Sequence, residues 1–143
     1  MTTLPCRRVA GTLLLAVTVA AVAALAGCGG LAHREGAAER VARRLHTALA
    51  DGHGGDACRV LAPQTRHELM ISAKHPCART VLAKKLPVAG RARSVEAYGS
   101  QAWVVFSHDT VFLAEFSGVW KVTAAGCRAR GADRPYDCVI KGG

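Results

Sequence analysis

The stretch SVEAYGSQAWVVFSHDTVFLAEFSGVWKVT, residues 94–123, decides the fold of this chain. Its apolar and β-branched residues gather into four short runs, at 94–98, 101–107, 110–116 and 119–123. Gly99-Ser100, His108-Asp109 and Ser117-Gly118 stand between the runs as two-residue connections of the kind that join hairpin strands. Four strands joined this way make an antiparallel meander. Trp103, Phe106, Phe112, Phe116 and Trp120 give it most of the aromatic bulk of a chain that is only 5% aromatic. A fifth strand is expected at residues 136–141.

Upstream the pattern changes to a helical period. In residues 38–50, Ala38, Val41, Ala42, Leu45, Ala48 and Leu49 fall on one face and Arg40, Arg43, Arg44 and Thr47 on the other. His46 lies on the polar side by the same wheel. Gly52-His53-Gly54-Gly55 should end this helix, since glycine tolerates the left-handed conformation that follows a helix terminus. A second helix is expected over residues 56–61, with Asp56 near its positive end, and Pro63 stops it. Thr65 then opens a third piece, with Glu68 at the capping-box distance. Pro76 opens a further turn carrying Cys77, Val81 and Leu82, before Pro87 and Gly90 break the pattern. Helices followed by a meander predict an α+β fold, one sheet with helices on one face. A chain of 143 residues has room for one such domain, here residues 38–143.

Residues 1–28 have a different character. Arg7 and Arg8 precede an uncharged Ala-, Val- and Leu-rich run, and Leu25-Ala26-Gly27-Cys28 closes it. A positive start, an apolar middle and a small-residue exit mark a signal peptide, residues 1–27. Residues 9–27 alone are just long enough to span a bilayer as an uncleaved anchor. The closing tetrapeptide resembles the lipobox of bacterial lipoproteins, in which the cysteine sulfur receives a diacylglyceryl group and cleavage occurs just before it. The resemblance implies lipidation at Cys28 and a location on the outer face of the cell membrane, where two acyl chains give durable attachment. Residues 28–37, rich in glycine and polar side chains, are expected to be a flexible tether, reaching roughly 3.3 Å per residue.

Cys58, Cys77, Cys127 and Cys138 form an even set in a domain expected to fold outside the cytoplasm, where disulfides are the natural state. Four cysteines allow three pairings. Local placement favours Cys58–Cys77 and Cys127–Cys138, each closing a loop worth about 3 kcal/mol of unfolded-chain entropy. A zinc site is disfavoured by the lack of any Cys-x-x-Cys or His-x-x-x-His pair, and no metal or cofactor is expected.

Little else carries chemistry. The six histidines are scattered, and His108 beside Asp109 reads as a solvated pair in a tight turn. No Ser–His–Asp set, carboxylate pair or phosphate-cradling loop emerges from the spacing. Glu115 is the one candidate for a ligand pocket, because it falls inside a strand between Ala114 and Phe116; pointing into solvent is the commoner outcome for such a residue. Net charge is +9, or +7 once Arg7 and Arg8 leave with the signal. That charge favours anionic lipid or cell-wall polymer as a contact, and nucleic acid is not expected at the cell exterior.

Residues 37–69, AAERVARRLHTALADGHGGDACRVLAPQTRHEL, and the closing GVWKVTAAGC (118–127) resemble the nuclear transport factor two-like fold. In that fold a long helix and shorter ones cover a curved sheet to make a cone; the cystatin-like fold is the near alternative. The whole chain, with its RPYDC segment (134–138), is also similar to small lipoproteins of high-GC Gram-positive bacteria. The resemblance implies a cone that either holds a small apolar molecule or is filled by side chains. The expectation is a non-catalytic, lipid-anchored binding or interaction module with an unknown protein partner. The alternative is a small isomerase or cyclase-like enzyme acting on a hydrophobic substrate.

Overall fold

Alternation of apolar and polar residues builds the sheet. The computed structural model describes the backbone of residues 10–142 and the side chains of residues 30–142. It contains β1 (Ala92–Tyr98), β2 (Gln101–Phe106), β3 (Thr110–Phe116), β4 (Val119–Arg128) and β5 (Asp137–Lys141). They form one antiparallel sheet in sequential order. Ala102, Val104 and Phe106 of β2, Val111 and Leu113 of β3, and Trp120 and Val122 of β4 are buried. Trp103, Val105 and Phe112, which alternate with them, are only half-buried. One face therefore meets the helices and the other meets solvent. At the β3–β4 hairpin, Ser117 and Gly118 both have positive φ, 49° and 81°, as the tightest hairpin turn demands.

Four helices precede the sheet: α1 (Ala10–Ala50), α2 (Gly54–Val60), α3 (Pro63–Ala73) and α4 (Cys77–Ala83). The chain divides into two units, residues 1–33 and 34–143, and the second holds the α+β domain. Ala38, Ala42, Leu45 and Ala48 form the buried stripe of α1. Three of these four are alanine, so the helix can lie close on the core formed by Val81, Val104, Val111, Leu113, Val122 and Ile140. The end of α1 is a double closure. Gly52 N–H donates to Leu49 C=O (3.2 Å) and His53 N–H to Ala48 C=O (2.7 Å), with Gly52 at φ 73°.

Both expected disulfides are formed, Cys58–Cys77 between α2 and α4 and Cys127–Cys138 between β4 and β5. Cys127 and Cys138 are direct cross-strand partners. The α2–α4 contact is tight enough that a Cβ on Gly54 would lie 2.9 Å from the backbone carbonyl carbon of Ala78. The other edge partner of β4 comes from the helical half: Leu61 bridges Val122 in parallel, and Ala62 N–H donates to Val122 C=O at 2.8 Å.

Several expectations are corrected. Residues 34–37, assigned to the tether, are helical and belong to the folded unit, because Arg34 bonds to the sheet and Ala38 is fully buried one residue later. The third helix starts at Pro63, not at Thr65, since proline at the first helical position needs no N–H partner. Thr65 makes no capping box; its buried hydroxyl donates to Thr123 C=O at 3.0 Å. Strand β4 runs five residues past Thr123, where Ala124-Ala125-Gly126 lacks a β-branched signal but pairs with β5. The signal peptide and the lipidation of Cys28 lie outside the described side chains. Among the described residues no helix is long and apolar enough to cross a membrane.

Candidate functional site

Three places bring ionisable side chains together, and they differ in burial. The first contains Glu115. Cross-strand pairing puts it beside Trp120. Arg34, the first residue of the second unit, donates to the Glu115 carboxylate at 2.9 Å and to Gly99 C=O, and its guanidinium lies 5.5 Å from the Trp120 ring centre. A carboxylate held by a guanidinium in this way ties a helix to a sheet. Its role as a free acid or base in a pocket gains no support from this geometry.

The second place went unread in the sequence. Asp109 is not a solvated turn residue beside His108: its side chain is fully buried. Its Oδ1 accepts the Cys127 N–H at 2.8 Å, and its Oδ2 lies 2.9 Å from His46 Nε2. His46, expected on the polar side of α1, turns inward with its side chain 12% exposed and its ring edge-on to Phe106 at 5.5 Å. Nε2 and Oδ2 are close but poorly aligned for a hydrogen bond, and neither has another partner among the described residues. A histidine oriented by a buried carboxylate is the base half of a hydrolytic triad. Among the described residues no nucleophile is in evidence beside it. The cysteines of the domain are spent in disulfides, and Ser107 Oγ bonds to Arg91 C=O at 3.3 Å. Among the described residues no group of three His, Cys, Asp or Glu side chains could hold a metal.

The third place is a groove of about 690 Å³ between the outer face of α1, α2 and Lys121 of β4. Arg40, Arg44 and Thr47 follow one another along α1 at turns of the helix, and Asp51 stands just past its end, which is why the polar wheel face becomes a wall. Arg59 of α2 and Lys121 form the opposite wall, and Ala48 and Val60 contribute an apolar floor. Five cations (Arg40, Arg43, Arg44, Arg59 and Lys121) face two carboxylates, Asp51 and Asp56. Arg43 is engaged by Glu39 at 2.8 Å and also stacks over Phe106 at 5.4 Å, while Arg59 is bonded to Asp56. Lys121 Nζ donates to Arg59 C=O at 2.7 Å, which fixes its ammonium at the rim. Arg40 and Arg44 have no acidic partner among the described residues.

The sequence placed Arg40, Arg43 and Arg44 on one helix face, but Arg59 and Lys121 are added only by the fold. Because the cations exceed the carboxylates and Arg40 and Arg44 have no acidic partner among the described residues, the groove can hold an anion. Comparison with protein-family models, with curated proteins and with solved structures found no match.

Proposed function

We propose that this protein is a lipid-anchored binding module of the cell exterior, built on a nuclear transport factor two-like scaffold, and that its ligand is anionic and occupies the α1–α2 groove. The excess of cations in that groove carries the reading, with Arg40 and Arg44 uncommitted along one wall. The paired cysteines support an oxidising compartment, as the exterior of the cell would be. Cys28, as the lipidated residue, supplies the attachment. A cone-fold enzyme has less to support it, because Glu115 is bound to Arg34 and the buried pair found for His46 is with Asp109 alone among the described residues.

Two measurements test the two parts of this reading. Cells expressing the Cys28→Ala variant should incorporate no labelled lipid into the protein; continued labelling ends the anchor. Binding of a multivalent anion to the full chain should weaken strongly with added salt, because exposed charges are screened over about 10 Å at 0.1 M. Binding that is indifferent to salt ends the electrostatic groove.

A further inference from the structure

The groove's shape says more about its ligand than its charge alone. Its cations do not converge on a point. Arg40 and Arg44 stand one helical turn apart, about 6 Å along the axis of α1, and Arg59 and Lys121 lie on the facing wall. All the lining arginines are exposed, so none is poised to strip the water from one compact anion. The volume, about 690 Å³, also far exceeds a single phosphate or carboxylate group. A concave channel fits a flexible chain better than the plane of a bilayer. No Phe, Tyr or Trp lines the groove, and stacking of bases on aromatic rings is the main means by which proteins hold single-stranded nucleic acid.

We infer that the groove binds a linear phosphate-bearing polymer without bases, laid along α1 so that successive phosphates meet Arg40, Arg44, Arg59 and Lys121. This rests on the proposal that the groove is an anion site and names the class of anion. Such a ligand would be held as a string of weak, exposed contacts, each modest and together sufficient. Thr47, about one turn beyond Arg44 on the α1 wall, offers a hydroxyl to the chain, and Asp51 and Asp56 repel it past the end of α1, which sets the limit of the track.

The test is a titration of the full-length protein in neutral detergent with inorganic tripolyphosphate and with long-chain polyphosphate, at matched total phosphate. The long chain should bind at least about tenfold more tightly per chain, since each further contact is made at high effective concentration. Its affinity should fall roughly tenfold or more between low and physiological salt. The double variant Arg40→Ala/Arg44→Ala should lose most of the binding. Both residues are exposed, and an unchanged circular dichroism spectrum verifies the fold. The variant Arg91→Ala/Arg93→Ala, which removes the same charge outside the groove, should bind as the parent does. Equal affinity for the short and the long phosphate would overturn the polymer and leave the anion groove standing. Binding of neither would overturn both. Equal weakening by the two double variants would make the attraction one of net charge, not of the groove. An oligothymidylate of equal charge that binds far more tightly, or phosphatidylglycerol vesicles that bind without competition from polyphosphate, would likewise reject the assignment.

Discussion

The core-facing side of α1 brings a histidine to one carboxylate and α2 pairs an arginine with another at the groove rim, and the environments of those carboxylates are opposite. Asp109, under α1, has a side chain with no exposure, whereas Asp56, at the groove rim, is 49% exposed; Glu115, at 27%, stands between them. Chemically similar pairs therefore serve different ends. A buried pair is costly to break, because the survivor is left without water. An exposed pair contributes little to stability, because water and salt screen it. The fold rests on the first kind, and the surface potential of the groove depends on the second.

Removing Asp109 should have the largest effect. Asp109→Ala leaves the buried Cys127 N–H without its acceptor and removes the carboxylate that lies 2.9 Å from His46 Nε2, and should cost about 3 kcal/mol. For a domain of this size that lowers the midpoint of thermal unfolding by roughly 10–20 °C. Asp109→Asn keeps an acceptor for Cys127 and should lose less than half as much. If Asp109→Ala melts with the parent, Asp109 does not tie α1 and β4 together. Replacing Cys127 and Cys138 together by serine should come next. It frees an 11-residue separation and should cost about 3 kcal/mol or somewhat less in the chain-entropy model. Because Cys127 also donates to Asp109, this double variant and Asp109→Ala should be non-additive. Additive losses in urea unfolding would show that the bridge and the buried pair act separately.

Glu115→Gln belongs in the middle of the series. The amide oxygen can still accept from Arg34, and the charge lost is partly solvated, so the loss should be about 0.5–1 kcal/mol. A loss as large as that of Asp109→Ala would mean that Arg34, Glu115 and Trp120 act as a cooperative unit.

The same contrast explains what could be read in the sequence. The strands were legible because their cue is local: alternation between turn residues placed four of five within a residue or two of their ends. The exception, β4, continues through Ala124-Ala125-Gly126 because β3 and β5 pair with it on its two sides, and the cue for that pairing is nonlocal. The disulfides were legible because each joins cysteines that are near in sequence. His46 and Asp109 were misread for the opposite reason. They are 63 residues apart, and each sits in a setting that reads as polar: His46 on the arginine-bearing side of the α1 wheel, Asp109 in a hairpin connection. The groove was half legible, its arginines on α1 visible as a helix face, but Lys121 sits in a strand and its approach to Arg59 C=O depends on how α2 meets β4.

Asp56→Asn should have the smallest effect on stability and is the sharpest separation of the two regions. Asp56 contacts Arg59 and stands 4.0 Å from His53, with all three side chains largely in water. Its removal should change the unfolding free energy by no more than about 0.5 kcal/mol. The groove, however, loses one of its two carboxylates, and Arg59 is released from its partner. Affinity for long-chain polyphosphate should therefore rise, by roughly two- to fivefold at low salt, with the gain fading as salt screens it. Opposite responses are required of the two carboxylates. Asp109→Asn should lower stability and, since Asp109 does not line the groove, leave affinity unchanged in molecules that remain folded. If Asp56→Asn leaves polyphosphate affinity unchanged as well, the rim carboxylate does not face the ligand and the track must run along the α1 wall alone.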